Sequence, residues 1–201
     1  MVHSKVCIAY NEARYPVEQD KHHGGIFKKY LTETFIETGS AQGDGIKAAL
    51  AAGFNKIYSI EVQPALYQHC KTQFDSDPRV TLAFGDSGVQ LGNILTNVNE
   101  QCFFWLDGHY SGGNTGHSGK ETPLLDELEH ISKHGISTHT IAVDDTRDWR
   151  NSSRRDTVNG IPLGFDIDTI KDKILSINSS YQFTYETKLR KFPNDVLVAY
   201  I

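Results

Sequence analysis

Acidic residues lie at or near the ends of five short apolar runs, in positions where carboxylates can bind ligands or a metal. These residues are Glu37 in TFIET (34–38), Glu61 in KIYSIEV (56–62), Asp86 in VTLAFGD (80–86), Asp107 in CFFWLD (102–107), and Asp144 and Asp145 in HTIAVDD (139–145). Runs this apolar are typical of buried parallel strands. In open α/β folds, ligands bind beyond the carboxyl ends of the strands, where the strand order reverses. The acids are therefore predicted to line one crevice.

A glycine-rich turn follows the first run, in FIETGSAQGDGI (35–46). Gly39, Gly43 and Gly45 give the spacing G-x-x-x-G-x-G, which matches neither the dinucleotide motif G-x-G-x-x-G nor the phosphate loop that ends in Lys followed by Ser or Thr. Glycines allow the backbone to approach a ligand closely. An acid after the second strand can accept both ribose hydroxyls, and an acid after the third can take the adenine amine. Negative charge also suits a cationic sulfonium, so the pattern favours a sulfonium nucleoside.

The elements that position these residues alternate along the chain. Helical patterns separate the apolar runs: DGIKAALAAG (44–53), PALYQHCKTQF (64–74), GVQLGNILTNV (88–98) and TPLLDELEHISK (122–133). This alternation predicts βαβ units and a Rossmann-like, doubly wound α/β sheet. After a helical stretch at 166–178, the runs YQFTYET (181–187) and VLVAYI (196–201) are separated by only a short link. They predict an antiparallel hairpin that completes a sheet of five parallel strands.

Composition narrows the class of protein. The 201 residues, with a net charge of −5, predict a single domain over 1–201 with an irregular segment at 1–30, and argue against a nucleic-acid partner. No apolar run is long enough for a membrane span. The three cysteines share no metal spacing and indicate reduced thiols in a cytoplasmic compartment, of the cell or of an infected host cell. An oligomer remains possible.

The segments ETGSAQGDGI, SIEV and FGDS resemble the successive cofactor motifs of class I S-adenosylmethionine-dependent methyltransferases, over roughly residues 30–201. The resemblance implies S-adenosylmethionine as cofactor. The residues implied to bind it are Glu37, Thr38, Gly39, Ser40, Gly43, Asp44, Gly45, Glu61, Val62, Asp86, Ser87 and Asp107. The alternative interpretation of Glu61 and Asp86 is that they only cap the helices that follow them.

Three of these acids predict a binding site for a metal ion. If the fourth and fifth strands are neighbours, Asp107, Asp144 and Asp145 converge, and three adjacent carboxylates repel one another unless a cation lies between them. Oxygen ligands of this kind suit Mg²⁺, with Mn²⁺ or Ca²⁺ as alternatives. Asp107 also begins a glycine-rich loop within FFWLDGHYSGGNTGHSGKETP (103–123). A mobile loop after a rigid strand is a common setting for catalytic residues.

This second pattern resembles the metal-dependent sugar O-methyltransferases of the macrocin type, which carry LDGD-Y after the fourth strand and V-DD after the fifth. The resemblance implies Asp107, Asp144 and Asp145 as metal ligands, and it places His109 where the family has an aspartate as general base. A neutral imidazole is a suitable base near pH 7. The implied acceptor is a sugar hydroxyl in a glycan, in particular of a deoxyhexose such as rhamnose. The chain also resembles the methyltransferase module of a glycan-building enzyme of chlorella viruses.

Other functions are open at this stage. Catechol-type O-methyltransferases also use a metal and vicinal hydroxyls but generally have a lysine base, and the loop's only lysine, Lys120, lies far from Asp107. A non-catalytic binding module would be favoured if the metal or cofactor acids were lost, and both sets are present. His22 and His23 either reach the site or are solvated. Arg147 and Asp148 are interpreted as groups that support the acid pair.

Overall fold

The computed structural model describes residues 23, 25–110, 121–149, 163–188 and 192–201, and a seven-stranded sheet forms the centre of this part of the chain. Its strands are β1 (Thr34–Thr38), β2 (Lys56–Glu61), β3 (Val80–Phe84), β4 (Cys102–Leu106), β5 (Thr140–Val143), β6 (Gln182–Glu186) and β7 (Val196–Tyr200). Their order is β3-β2-β1-β4-β5-β7-β6. Strands β1 to β5 are parallel, and β7 is antiparallel to β5 and β6. The predicted Rossmann-like sheet with a C-terminal antiparallel hairpin is confirmed.

Helices follow the strands as the alternating pattern predicts. They are α1 (Ile26–Lys29), α2 (Asp44–Ala52), α3 (Pro64–Phe74), α4 (Ser87–Leu95), α5 (Leu124–Ser132) and α6 (Ile167–Ile177), with a 3₁₀ turn at Thr146–Asp148. Local signals set their ends: α3 begins at Pro64 and is capped by Gln63, and α2 ends at Gly53, which has φ +108°. Helix α1 lies within the segment predicted to be irregular. Within the described residues, no helix is long and apolar enough to cross a membrane.

Apolar side chains cover both faces of the sheet, as strands buried on two sides require. Every residue of β1 and β4 is buried. One face presents Phe35, Phe103 and Trp105 to residues of α1, α2 and α3. The other presents Phe104 and Leu106 to residues of α4, α5 and α6. Packing on both faces holds the central strands, and therefore their carboxyl ends, in fixed positions.

The strand order reverses between β1 and β4. The chain builds β1, β2 and β3 outward in one direction, crosses the sheet, and adds β4 and β5 on the other side of β1. Thr38 at the end of β1 pairs with Leu106 at the end of β4, and Leu106 pairs with Val143 at the end of β5. The turn after β1 and the acids after β4 and β5 therefore meet at the position where open α/β sheets bind ligands.

Candidate active site at the carboxyl edge of the sheet

The glycine turn between β1 and α2 brings two strand ends into close contact. Gly39 has φ +85°, and a Cβ at this position would lie 2.6 Å from the carbonyl oxygen of Asp107. A Cβ at Gly45 would lie 1.6 Å from Oε1 of Glu37. Both distances are too short for a non-bonded contact, so a side chain at either position would displace the Asp107 backbone or the Glu37 carboxyl.

A cavity of about 260 Å³ opens beside this turn. Its wall contains Glu37, Gly39, Ser40, Asp44, Gly45 and Asp107, all predicted to bind the cofactor, together with His23, Ala41, Gln42, Trp105 and Lys188. The volume is near the lower end of the roughly 300–1,000 Å³ that small-molecule sites occupy. The wall therefore combines two strand-end carboxylates, one lysine, exposed backbone and an aromatic ring. This polarity fits a ligand that carries both cationic and anionic groups.

Glu37 is a buried carboxyl in the wall of this cavity. The hydroxyl of Ser59 donates to its Oε2 at 2.5 Å, and the same hydroxyl lies 2.5 Å from that of Ser40. Burial, together with the charges of Glu61 and Asp44, raises the pKa of Glu37 to about 8, against the opposing effect of the Ser59 hydrogen bond. The carboxyl is therefore mostly protonated at neutral pH, and a nearby cation would favour its ionised form.

Glu61 and Asp86 lie farther along the same edge and bind local backbone. Glu61 accepts hydrogen bonds from the N–H groups of Ala41 at 2.9 Å and Gln63 at 2.8 Å. Asp86 accepts from the N–H of Gly88 at 2.8 Å and caps α4. The capping contact of the alternative interpretation is thus present for Asp86, whereas the helix after Glu61 is capped by Gln63. A carboxylate has about four acceptor positions, so these contacts leave capacity for a ligand.

Three other predicted cofactor residues surround the turn. Gly43 has φ +79°, and a Cβ there would lie 2.5 Å from the ring of Phe74. Asp44 begins α2 and forms an ion pair of 2.9 Å with Lys47. Val62 follows β2 and is partly buried. Of these three, only Asp44 lies in the cavity wall.

Glu127 of α5 joins the ends of three strands through a buried network. The hydroxyl of Ser87, which comes three residues after the end of β3 and begins α4, donates to Oε1 of Glu127 at 2.5 Å. Thr38 also hydrogen-bonds to Glu127, and its Oγ1 accepts from the N–H of Asp107 at 3.1 Å. Burial raises the pKa of Glu127 to about 7, although the Ser87 and Thr38 hydrogen bonds oppose this. Thr38 and Ser87, both predicted to bind the cofactor, therefore have protein partners behind the cavity wall.

Asp107, His109 and Asp145 form a cluster beyond the ends of β4 and β5. Nδ1 of His109 lies 3.3 Å from Oδ1 of Asp107, and Nε2 lies 3.3 Å from Oδ2 of Asp145. One ligand atom from each of the three side chains lies within 4.8 Å of the others, a separation at which a single ion could be bound. The ring of His109 is only 6% exposed. The structure thus brings together two of the three predicted metal ligands, with the predicted base between them.

Asp144, the third predicted ligand, has both carboxylate oxygens engaged. Oδ1 accepts from the N–H of Asp145 at 2.8 Å, and Oδ2 accepts from Nζ of Lys188. The Asp144 side chain is fully buried and also hydrogen-bonds to Asp107. It is not a member of the cluster formed by the other two aspartates and His109. Metal binding by Asp144 therefore stays a prediction.

The turn that carries Asp145 is hydrogen-bonded to Asp195, the residue immediately before β7. Asp145 has φ +54°, a conformation that costs a non-glycine residue about 1 kcal/mol or more. Nη1 of Arg147 donates to Oδ1 of Asp145 at 2.6 Å and also to Asp195, which is buried. The N–H groups of Thr146 and Arg147 donate to Asp195 at 2.8 and 2.9 Å. The expected supporting role of Arg147 thus has a structural basis.

The two neighbouring aspartates have opposite pKa shifts. Burial raises the pKa of Asp144, although Lys188 opposes this, and burial and Asp144 together hold the pKa of Asp107 well above its usual range. For Asp145, burial acts in the same direction but is outweighed by the hydrogen bond with His109 and the charges of Lys188 and Arg147, which lower its pKa. Asp145 is therefore the most strongly ionised acid of the three.

Three residues in this site were missed by sequence reasoning: Glu127, Lys188 and Asp195. A signal exists for Glu127, because it shares one helix face with Leu124, Leu128 and Ile131, at the spacing of an apolar stripe. An acid on such a face requires a buried partner. Lys188 and Asp195 are the first and last residues of the link KLRKFPND. This link has the composition of a solvated turn, so no local signal marks either residue as part of a site.

Two further side chains close to the site, His23 and Trp149, are buried. His23 is buried in the cavity wall, with its ring 5.4 Å from that of Trp105. Trp149 is 2% exposed and stacks on Phe165, so it packs in the core. The residues at positions 22 and 120, both considered above, lie outside the described residues.

Comparisons with known proteins identify the fold. A scan of protein-family models and a search of curated proteins give no match. The chain is similar to the O-methyltransferase from Bacillus cereus in complex with S-adenosylhomocysteine, with 13% identity, a TM-score of 0.55, and coverage of 100% of this chain and 91% of that one. Human N-acetylserotonin methyltransferase in complex with S-adenosylmethionine gives 15% identity, a TM-score of 0.52, and coverage of 96% and 55%. The methyltransferase domain of bacterial CtHen1-C gives 12% identity and a TM-score of 0.55, with coverage of 91% of this chain and 96% of that domain. The chain therefore has the class I methyltransferase fold.

Proposed function

We propose that this chain is an S-adenosylmethionine-dependent O-methyltransferase that uses a divalent metal. The observation that carries the proposal is that Asp107 belongs to both halves of the site. It lines the cavity with Glu37 and Gly39, and it clusters with His109 and Asp145. A methyl donor in the cavity would therefore have its reacting end beside groups that can hold a metal and accept a proton. The shared fold with solved methyltransferases supports this proposal.

The cavity residues fit the cofactor in charge. The carboxyls of Glu37 and Asp107 both line the cavity and suit the amine and the sulfonium. Glu61 and Asp86 have free acceptor capacity for the ribose hydroxyls and the adenine amine. The other residues of the proposed cofactor set are Thr38, Ser40, Gly43, Asp44, Gly45, Val62 and Ser87.

Methyl transfer to a hydroxyl forms an O–CH₃ bond, breaks the S–CH₃ bond, and releases a proton and S-adenosylhomocysteine. We assign the proton to His109, whose ring is oriented by carboxylates on both sides at 3.3 Å. A divalent cation on Asp107 and Asp145, Mg²⁺ or else Mn²⁺, would lower the pKa of the acceptor hydroxyl. The oxygen-rich donor set is consistent with such an ion. The chain's own contribution is to align acceptor and donor and to remove the proton.

The proposed acceptor is a hydroxyl of a sugar, in particular a deoxyhexose such as rhamnose in a glycan. This step rests on the resemblance of LDGHY and VDD to the macrocin-type motifs. Vicinal hydroxyls of a sugar supply the neutral oxygen ligands that a Mg²⁺ site completes with water or substrate.

One observation bears on the catechol-type alternative. Lys188 lines the cavity, contacts Asp144 and so gives the site a lysine, whereas Lys120 of the glycine loop comes 13 residues after Asp107 in the sequence. However, the carboxylates of Asp144 and Asp107 raise the pKa of Lys188 despite its burial. A lysine that remains protonated cannot accept a proton, so the sugar-type assignment with His109 as base is preferred.

Calorimetric titration with S-adenosylhomocysteine, with and without Mg²⁺, tests the cofactor assignment. We expect binding in both conditions, because the cavity wall is formed mainly by protein groups outside the metal cluster. Gly45→Ala is the matched variant and should abolish binding. If the wild-type protein binds no S-adenosylhomocysteine in either condition, the proposal fails and a methyltransferase-like binding module becomes the better account.

One substitution, His109→Ala, distinguishes a general base from a metal ligand at this position. His109→Ala should lower the rate of methyl transfer steeply at neutral pH and leave Mn²⁺ affinity within about threefold, if the ring acts as the base. A loss of 10- to 100-fold in Mn²⁺ affinity, on the order expected when a ligand or its support is removed, would instead identify His109 as a metal ligand. Equal rates for the variant and the wild type would remove it from both roles.

A further inference from the structure

Lys188 is positioned between the cofactor cavity and the acid pair. It follows β6, and its Nζ contacts Oδ2 of Asp144 and lies 5.6 Å from the ring of Trp105. The lysine side chain is 19% exposed, and the aspartate side chain is fully buried. The contact joins residues 44 positions apart and brings the β6–β7 connection to the end of β5.

We propose that Lys188 withholds Asp144 from the metal, so that the cation site consists of Asp107 and Asp145 and takes a single divalent ion. The inference rests on the proposed metal dependence and departs from the resemblance, in which both aspartates of the DD pair bind the ion. It assigns to Lys188 the role of fixing the charge and ligand number of the site.

The charges of the site support this assignment. Asp107, Asp144 and Asp145 carry three negative charges when ionised, and Lys188 neutralises one of them. The charges of Arg147 and Asp195, which are bonded to each other, cancel. The remaining charge of −2 matches one divalent cation. Without Lys188, the same site would carry −3 and would bind a divalent ion more tightly.

The geometry supports it as well. Both oxygens of Asp144 are occupied, one by the N–H of Asp145 and one by Lys188, so metal ligation would require breaking a buried ion pair. Removing a partner from such a pair is costly. Asp145 also has one oxygen bonded, to Arg147, but a carboxylate oxygen of Asp145 and one of Asp107 lie within 4.8 Å of each other beside the ring of His109. These two side chains present oxygens to a common point, and Asp144 does not belong to that group.

Mn²⁺ titration of the protein without cofactor or acceptor tests the proposal, by calorimetry and by loss of the free-ion electron paramagnetic resonance signal. Lys188→Met should raise Mn²⁺ affinity at least about tenfold, and Asp144→Asn should lower it, because Lys188 is then left uncompensated. The double variant Lys188→Met/Asp144→Asn has the wild-type charge of the site and should return to within about threefold of wild-type affinity. Lys29→Met, which removes an exposed ion pair with Glu186, is the control and should change nothing.

The double variant decides between the two ligand sets. If Asp144 is a ligand, this variant stays at least about tenfold below wild-type Mn²⁺ affinity although its charge is restored, and the proposal is overturned. It also removes both members of the buried pair, so it stays informative where Lys188→Met alone fails to fold. Absence of Mn²⁺ binding in the wild type and in Lys188→Met would overturn the inference and the metal dependence together. Binding of S-adenosylhomocysteine, measured separately, would show in that case whether the methyltransferase assignment survives.

Discussion

Replacing Glu127 by glutamine should make the stability of the protein less sensitive to pH. Glu127 is buried, and its pKa of about 7 exceeds the ordinary value of 4.5. Because the folded state favours the protonated acid, the stabilisation that Glu127 contributes is fully present below its ordinary pKa of 4.5. This stabilisation is lost as pH rises through about 7. Each pKa unit corresponds to roughly 1.4 kcal/mol, so ionisation costs the wild type about 2.5 kcal/mol of unfolding free energy between about pH 5 and about pH 8. Glu127→Gln, which cannot ionise, avoids this loss.

Urea unfolding monitored by tryptophan fluorescence measures the effect, because Trp105 and Trp149 are both buried. The unfolding free energy of the variant minus that of the wild type should increase by about 2.5 kcal/mol from about pH 5 to about pH 8. The other titrating groups occur in both proteins and cancel in this difference. Glu129→Gln is the control on the same helix, since Glu129 is 43% exposed and has a lowered pKa. A difference for Glu127→Gln that stays constant with pH would refute the assignment of a perturbed buried carboxyl.

Three further outcomes are expected. Gly45→Ala should destabilise the fold by about 1–3 kcal/mol in the same urea assay, because the new methyl group overlaps Glu37; equal stability would contradict the close approach. Asp145→Ala should leave the dissociation constant for S-adenosylhomocysteine nearly unchanged and reduce turnover at least about hundredfold, and wild-type turnover would exclude it from the metal site. Asp195→Asn should cost about tenfold in Mn²⁺ affinity by weakening the Arg147 clamp, whereas Asp168→Asn, at an exposed position, should have no effect.

The fold could be predicted from the sequence because its signals are local. The runs TFIET and CFFWL are short and rich in aromatic and β-branched residues, as is typical of strands buried on two faces, and the helices between them carry their own start and stop residues. Once the strands are parallel neighbours, the meeting of Asp107 with Asp145 follows from geometry. The hairpin followed from the short link between the last two runs. Each inference used residues close together in the chain.

The partners of the acids could not be predicted in the same way. Asp144 and Asp145 are adjacent in sequence, and nothing local indicates that one accepts from Lys188 and the other contacts His109 and Arg147. That division depends on the positive φ of Asp145 and on residues more than 40 positions away. Charged side chains in a short link resemble any solvated turn until the tertiary structure places them. The sugar acceptor, the metal and the roles of the cofactor residues stay predictions for the experiments above.

The placement of β7 has a consequence for how the chain folds as it is synthesised. Strand β6 leaves the ribosome before β7, yet β7 lies between β6 and β5 in the sheet. Until β7 inserts, β5 has an unpaired edge, and β6 has no strand of the sheet to join. An open, apolar edge of this kind invites pairing with other chains. Nascent chains halted between β6 and β7 should therefore be sensitive to aggregation and should bind chaperones, whereas chains that extend past Tyr200 should not.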